Sequence, residues 1–386
     1  MQPTGVVENS TATKNPLKEL LTYGQSMWLD YIRRDLFSSG KLKHLIEDDG
    51  LRGMTSNPSI FEKAIADSSL YDDQLKSLAS RSDLDTTGRY EQIAIADIQS
   101  AADALRPVYD SSNARDGYVS LEVSPYLAHK TKESIEEARR LWKAVNRENV
   151  MIKIPGTAEG LPAIQQLIGE GININITLLF SQKVYEQVAE AYVAGVEQLA
   201  KSGGNVKKMA SVASFFISRI DTLVDSLLEA KIKSDPGQQA LYKSLLGKIA
   251  IANGKLAYQS YQRIFSGPRW QALAAKGAQT QRVLWASTST KNPAYRDVLY
   301  VEELIGPDTV NTMPPATIDA FRDHGICKTT LTQDVAGAAK TMDDLARAGI
   351  SIKDVTDKLT DDAVKLFAEA FDKLLAAVAK STGQKK

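Results

Sequence analysis

The chain has 386 residues, 43% of them hydrophobic and 24% charged, enough to build a large buried core. Lys plus Arg and Asp plus Glu each number 47, so the formal net charge is zero and the basic excess expected of a nucleic-acid binder is absent. A single cysteine, Cys327, excludes an intrachain disulfide, and His44, His129 and His324 stand at no metal-ligand or triad spacing.

In chain order, residues 1–15 are polar and lack the apolar core of a signal peptide, and 1–14 reads as a flexible segment. Periodicity predicts a helix over 16–25, then strands at 26–30, 53–56 and 118–122. A helix over 131–146 is followed by strands at 150–154 and 172–177. The next helix, 181–202, places Val184, Val188, Ala191 and Leu199 near the helical period, with Gly195 on the same face. After a strand at 209–214, the stretch 218–280 reads as two helices broken at Ser234-Asp235-Pro236-Gly237 and a third after Gly267-Pro268. Strands at 283–287 and 308–312 follow. A last helix, 361–380, carries Val364, Phe367, Phe371, Leu374 and Val378 on one face. Residues 381–386 read as a flexible tail.

Short apolar runs alternating with amphipathic helices argue for parallel strands with crossover helices, and eight such runs close a (β/α)8 TIM barrel over 15–380. Its final helix is expected to pack across the barrel rim as a partial lid. No run approaches the ~20 apolar residues of a membrane span. The expectation is a soluble cytoplasmic protein, monomer or homodimer, with no membrane or nucleic-acid partner.

Barrel active sites form where the C-terminal ends of the strands converge, so the polar residues closing each apolar run are the candidates. They are Asp30, Asn57 beyond Thr55-Ser56, Glu122, Lys153, Asn175 with Thr177, Ser214 with Arg219 beyond it, and Ser287. Lys153 lies in Val150-Met151-Ile152-Lys153-Ile154-Pro155, where burial without a partner would disfavour the ammonium form and leave a nucleophilic amine. Asp30 and Glu122 could divide proton transfers between them, although either could equally cap a helix or pair with an arginine such as Arg33 or Arg34. Asn57-Pro58 reads equally well as a turn. Asn173 and Asn175 alternate with isoleucines, which puts both amides on one face directed at a pocket. Arg219, Ser287 and Lys291 could bind a phosphate, though a Ser/Thr-rich turn with one lysine is commonly just a loop. No nucleotide-binding glycine fingerprint occurs.

Three segments together resemble the transaldolase family. Thr55-Ser56-Asn57-Pro58-Ser59 resembles its TxNPS signature, and Asn175-Ile176-Thr177-Leu178-Leu179-Phe180-Ser181 its NxTLLFS segment. Ile152-Lys153-Ile154-Pro155 lies at the position of the family's Schiff-base lysine. The resemblance spans about residues 14–380, and the extended stretch after the sixth strand is similar to the long-chain bacterial subgroup. It implies that Lys153 forms an imine with the ketose C2, that Asp30 handles the C4 hydroxyl proton, and that Glu122 with Thr177 and a water serves dehydration. It further implies that Asn57, Asn175 and Ser214 hold hydroxyls, and that Arg219 and Ser287 hold phosphate. Shorter relatives carry an arginine where Ser289 stands here, and Lys291 is the candidate substitute.

The implied reaction moves a dihydroxyacetone unit from sedoheptulose 7-phosphate to glyceraldehyde 3-phosphate, in the pentose phosphate pathway, with no metal and no cofactor. Two other readings stand beside it: a class I aldolase that releases dihydroxyacetone from fructose 6-phosphate, and a non-catalytic barrel that binds sugar phosphates.

Overall fold

In a computed structural model of the chain, which describes residues 15–382, eight strands pair in sequence order into a closed parallel barrel. The strands are β1 (Gln25–Asp30), β2 (Gly53–Thr55), β3 (Tyr118–Glu122), β4 (Val150–Pro155), β5 (Ile174–Leu179), β6 (Ser211–Phe216), β7 (Arg282–Ala286) and β8 (Thr309–Met313). β1 closes the ring by pairing with both β2 and β8. Almost every strand residue is buried, because side chains alternate between the barrel interior and the helix layer and neither face meets water.

All eight predicted strands are present, and their bounds move by at most two residues. The fifth and sixth shift most, from the expected 172–177 to Ile174–Leu179 and from 209–214 to Ser211–Phe216, and in the fifth a bulge follows Ile176 where Leu178 adopts a φ of +61°. A β-branched or bulky residue in the left-handed region is strained, and such strain concentrates near functional sites. Ser287, just beyond β7, has a φ of +56°. The predicted helix over 16–25 is instead a short α-helix, Pro16–Glu19, and a 3-10 turn, Leu20–Tyr23. Gly24, at a φ of +77°, ends it and releases Gln25 into the sheet.

Further helices lie where the sequence reading placed none. Thr86–Ser111 is the longest of these, starting at a cap in which Asp85 accepts from the Gly88 N–H. The final helix is longer than expected, Ile352–Ser381, and begins with Ser351 accepting from the Asp354 N–H. It crosses the rim, packing against the helix Pro58–Ala66 and the helix Thr86–Ser111. Tyr90, Phe371 and Tyr126 form an edge-to-face stack along it, and the Tyr126 hydroxyl donates to Asp372 at 2.7 Å. The expected flexible ends, 1–14 and 381–386, fall outside the described residues apart from Ser381 and Thr382, which close this helix.

At the opposite end, a buried ion pair ties the barrel together. Arg282 donates to Asp116 and to Ser26 at 2.8 Å each, and Ser26 donates to the other Asp116 oxygen. Both Asp116 oxygens and both terminal nitrogens of Arg282 are engaged, as burial of charge demands. No helix among the described residues is long and apolar enough to cross a membrane.

Candidate active site

A cavity of about 560 Å³ opens at the C-terminal ends of the strands. Asp30, Asn57, Lys153, Thr177, Ser214, Arg219, Ser287 and Lys291 all line it, and the final helix roofs it with Leu366, Phe367, Glu369, Ala370 and Lys373. Phe367 lies over the centre, its ring centroid 6.0 Å from the Lys153 nitrogen.

Lys153 is buried, but its amine is not alone. Nζ donates to the Ser56 carbonyl and to Glu122 Oε2, each at 2.9 Å. The expectation of burial without a partner is therefore corrected: the strand places apolar residues on either side of Lys153, whereas β3, paired in register at Glu122↔Lys153, supplies one of the carboxylates expected to face it. Burial pushes the Glu122 carboxyl above its ordinary range, against the lowering charge of Lys153. A carboxyl raised in this way is a fit acceptor for a proton from the ammonium it touches.

Glu122 itself does not line the main cavity. It lines a separate small one with Tyr90, Glu91, Ser124 and Phe371. Asn175 does not line the main cavity either; it is wholly buried, donating to Ser120 Oγ at 3.0 Å and accepting from Ser214 Oγ at 2.7 Å. Asn175 therefore fixes Ser214, and Ser214 presents the surface. Asn173, expected to share the pocket face, lies outside it. Its amide donates to the Glu148 and Val150 carbonyls and accepts from the Ala210 N–H, because the strand begins one residue after it and its side chain caps the chain entry instead.

Asp30 accepts from the Thr55 hydroxyl at 2.7 Å, and Thr55 in turn lies 2.7 Å from the Thr312 hydroxyl. The alternative ion pairs are taken elsewhere: Arg33 binds Asp35, and Arg34 binds Asp97 and Gln74. Burial raises the Asp30 carboxyl above its usual range, with the Thr55 bond and the charges of Lys153 and Lys291 opposing it. Thr177 Oγ1 is buried with no hydrogen-bond partner among the described residues, beside a strained backbone. An orphaned buried hydroxyl that lines a cavity is placed to receive a water or a ligand atom.

Asn57 spends its carbonyl on the N-terminus of the helix Pro58–Ala66, accepting from the Ile60 N–H at 3.0 Å. The turn reading and the site reading both hold in part, since the residue caps a helix and also lines the cavity. Arg219 forms no hydrogen bond or ion pair among the described residues and lies 5.6 Å from the Phe216 ring centroid. Its pKa is lowered by burial. Lys291 donates to Ser289 at 2.7 Å, and burial together with the nearby Arg219 lowers its pKa. Ser287 shares a 2.9 Å contact with Ser218, which starts the helix Ser218–Ser234 bearing Arg219. One wall of the cavity is thus cationic and the floor is acid and amine.

The sequence reading missed Thr55 as a ligand of Asp30, Thr312, Lys63 and Lys373. Thr312 closes the eighth apolar run by the same logic that selected the others. Lys63 and Lys373 carry no such signal, because only the helix docking decides which faces meet the cavity. Among the described residues no cluster of three His, Cys, Asp or Glu side chains could hold a metal.

The model of the transaldolase/fructose-6-phosphate aldolase family matches residues 27–378, which take in all eight strands apart from the first two residues of β1. The chain belongs to that family. Transaldolase 2 of Nostoc sp. (strain PCC 7120) is 50% identical over 366 residues, covering 94% of this chain and 96% of the relative. The transaldolase of Trichodesmium erythraeum is 47% identical with the same coverage, and transaldolase 1 of Streptomyces coelicolor is 45% identical over 98% of each chain. With this coverage the protein is an enzyme with transaldolase function, and the reading as a binding barrel falls away.

Proposed function

We propose that the enzyme transfers a three-carbon ketol unit between sugar phosphates through a Schiff base on Lys153. Lys153 first gives a proton to Glu122 across their 2.9 Å contact, and the neutral amine attacks the ketose C2 carbonyl. Glu122 then returns the proton to the departing hydroxyl as the carbinolamine dehydrates, and the released water is held by the unpartnered Thr177 hydroxyl.

In the iminium, the positive nitrogen withdraws electrons from C3. Asp30 takes the C4 hydroxyl proton, the C3–C4 bond breaks, and an aldehyde leaves while the enamine stays bound. An acceptor aldehyde enters, the enamine carbon attacks it, and Asp30 returns its proton to the new hydroxyl. Water adds back to the iminium and the product ketose leaves. Ser214 and Asn57 line the part of the cavity beside Lys153, suited to the ketol hydroxyls, with Asn175 holding Ser214 from below. Arg219, Ser287 and Lys291 line the cationic wall, suited to the phosphate.

The observation that carries this reading is the buried Lys153–Glu122 pair at the edge of a cavity that also holds Asp30. The donor is sedoheptulose 7-phosphate or fructose 6-phosphate, and the acceptor glyceraldehyde 3-phosphate or erythrose 4-phosphate. Borohydride reduction in the presence of fructose 6-phosphate tests it: the mass of the trapped ketol belongs on the peptide containing Lys153, and an adduct on any other lysine overturns the assignment.

The roof of Leu366, Phe367 and Ala370 excludes water from the enamine, which favours transfer over release of free dihydroxyacetone. The protein acts alone or as a homodimer in the cytoplasm, with no cofactor and no nucleic-acid or membrane partner.

A further inference from the structure

The loop of residues 287–298 joins β7 to the short helix Leu299–Glu302 and brings Ser287, Ser289 and Lys291 to the cavity. Its near end is held by the Ser287–Ser218 contact and by Thr288 donating to Asn311 at 2.9 Å. Its far end is held by two tyrosines. Tyr295 donates to Asp225 Oδ2 at 2.7 Å, and Tyr300, just past the loop, donates to Asp221 Oδ2 at 2.9 Å. Both carboxylates stand on the helix Ser218–Ser234, which starts at the cavity with Arg219. Asp225 Oδ1 is occupied as well, accepting from the Gly247 N–H at 3.0 Å. A Cβ on Gly247 would lie 2.7 Å from the Tyr295 ring, so the segment following that helix packs directly onto the tyrosine.

Lys291 also lines a second cavity, about 190 Å³, behind the loop, together with Asp221, Asp225, Glu229 and Tyr295. The lysine therefore has two places to go: toward Ser289 and the substrate, or back toward three acids. A free Asp225 carboxylate would draw the ammonium into the rear cavity. The Tyr295 hydroxyl occupies that acceptor and keeps Lys291 forward.

We propose that Tyr295 is a positioning residue that sets the phosphate preference of the enzyme by holding Asp225 and the loop so that Lys291 faces the substrate. This rests on reading Arg219 and Lys291 as phosphate ligands. Tyr295 touches no substrate atom; it acts through Asp225 and the loop.

The test uses the full-length enzyme carrying Tyr295→Phe, with saturating fructose 6-phosphate as donor. Glyceraldehyde 3-phosphate and unphosphorylated glyceraldehyde serve as acceptors. KM for the phosphorylated aldehyde rises about tenfold, on the order of one hydrogen bond to a charged group, while kcat stays within about twofold. kcat/KM for glyceraldehyde is unchanged. Tyr295→Leu, which also frees Asp225, gives the same split and stands in should the first variant fold poorly, and adding Asp225→Asn to either variant removes the rear charge and brings KM back toward the parent value. Equal losses with both aldehydes, or an unchanged KM for the phosphorylated one, overturn the proposal. Arg219→Ala separates the two levels: if it also spares the phosphorylated aldehyde, the phosphate reading itself fails, whereas a selective loss with Arg219→Ala alone sinks only the role of Tyr295.

Discussion

Lys153 Nζ lies 2.9 Å from Glu122 Oε2, and the two side chains are only 7% and 5% exposed. A buried pair of this kind is weak evidence for stability, because removing both charges from water costs several kcal/mol. In the proposed mechanism its value is chemical: the same contact that holds the amine in place is the route by which it loses a proton. The neighbouring Ser56 carbonyl accepts a second amine hydrogen at 2.9 Å and holds the side chain in place.

Lys153→Met keeps the buried stem and removes the amine. Mass spectrometry after borohydride treatment with fructose 6-phosphate finds no adduct, and turnover is lost, while circular dichroism is that of the parent. Retained turnover would remove Lys153 from the mechanism.

Asp30→Asn leaves the amine and its Glu122 partner intact. Imine trapping persists, but cleavage of the C3–C4 bond in a rapid-quench experiment slows by about 10²- to 10⁴-fold, the usual scale of a lost general base. An unchanged cleavage rate would give the C4 proton to another group.

Thr177→Val replaces an orphaned hydroxyl by a methyl of similar volume. The orphan makes no bond to lose, so the melting temperature holds or rises slightly. Imine formation slows and C–C cleavage does not, which stopped-flow detection of the two steps resolves.

Activity falls on the acid side at a higher pH than ordinary carboxylates would give. Burial raises both Glu122 and Asp30, and each must be ionised to accept its proton. The acid limb of kcat/KM therefore lies above the usual carboxylate range, and Glu122→Gln removes one of its two components. A limb at the ordinary range of a solvent-exposed carboxylate would contradict the roles assigned.

Stability carries a separate pH signature. Burial pushes the Asp221 carboxyl up to about 7 from its ordinary value of 3.8, so the folded chain holds that proton more tightly than the unfolded chain. Its contribution is fully present below about 3.8 and is lost as pH rises to about 7. Denaturant titrations at several pH values show Asp221→Asn gaining stability relative to the parent across that window. A constant difference between the two would place the proton elsewhere.

The order of eight apolar runs, the polar residue closing each, and the family segments around Asn57, Lys153 and Asn175 were all legible from the chain alone. They are local: a parallel strand buried on both faces must be apolar nearly throughout, so a lysine or aspartate at its end stands out, and eight such strands close a ring. Other features depend on partners far away in sequence, and only the folded chain decided them. Lys153 meets Glu122 because β3 and β4 pair in register. Asn173 faces the chain entry and Asn175 the barrel interior because the fifth strand starts one residue after the first of them. Lys63 and Lys373 reach the cavity because two helices dock across its rim. Sequence periodicity fixes which face of an element is apolar, but the rotation and register with which elements pack are set by the summed fit of many side chains, and no single run of residues contains that sum.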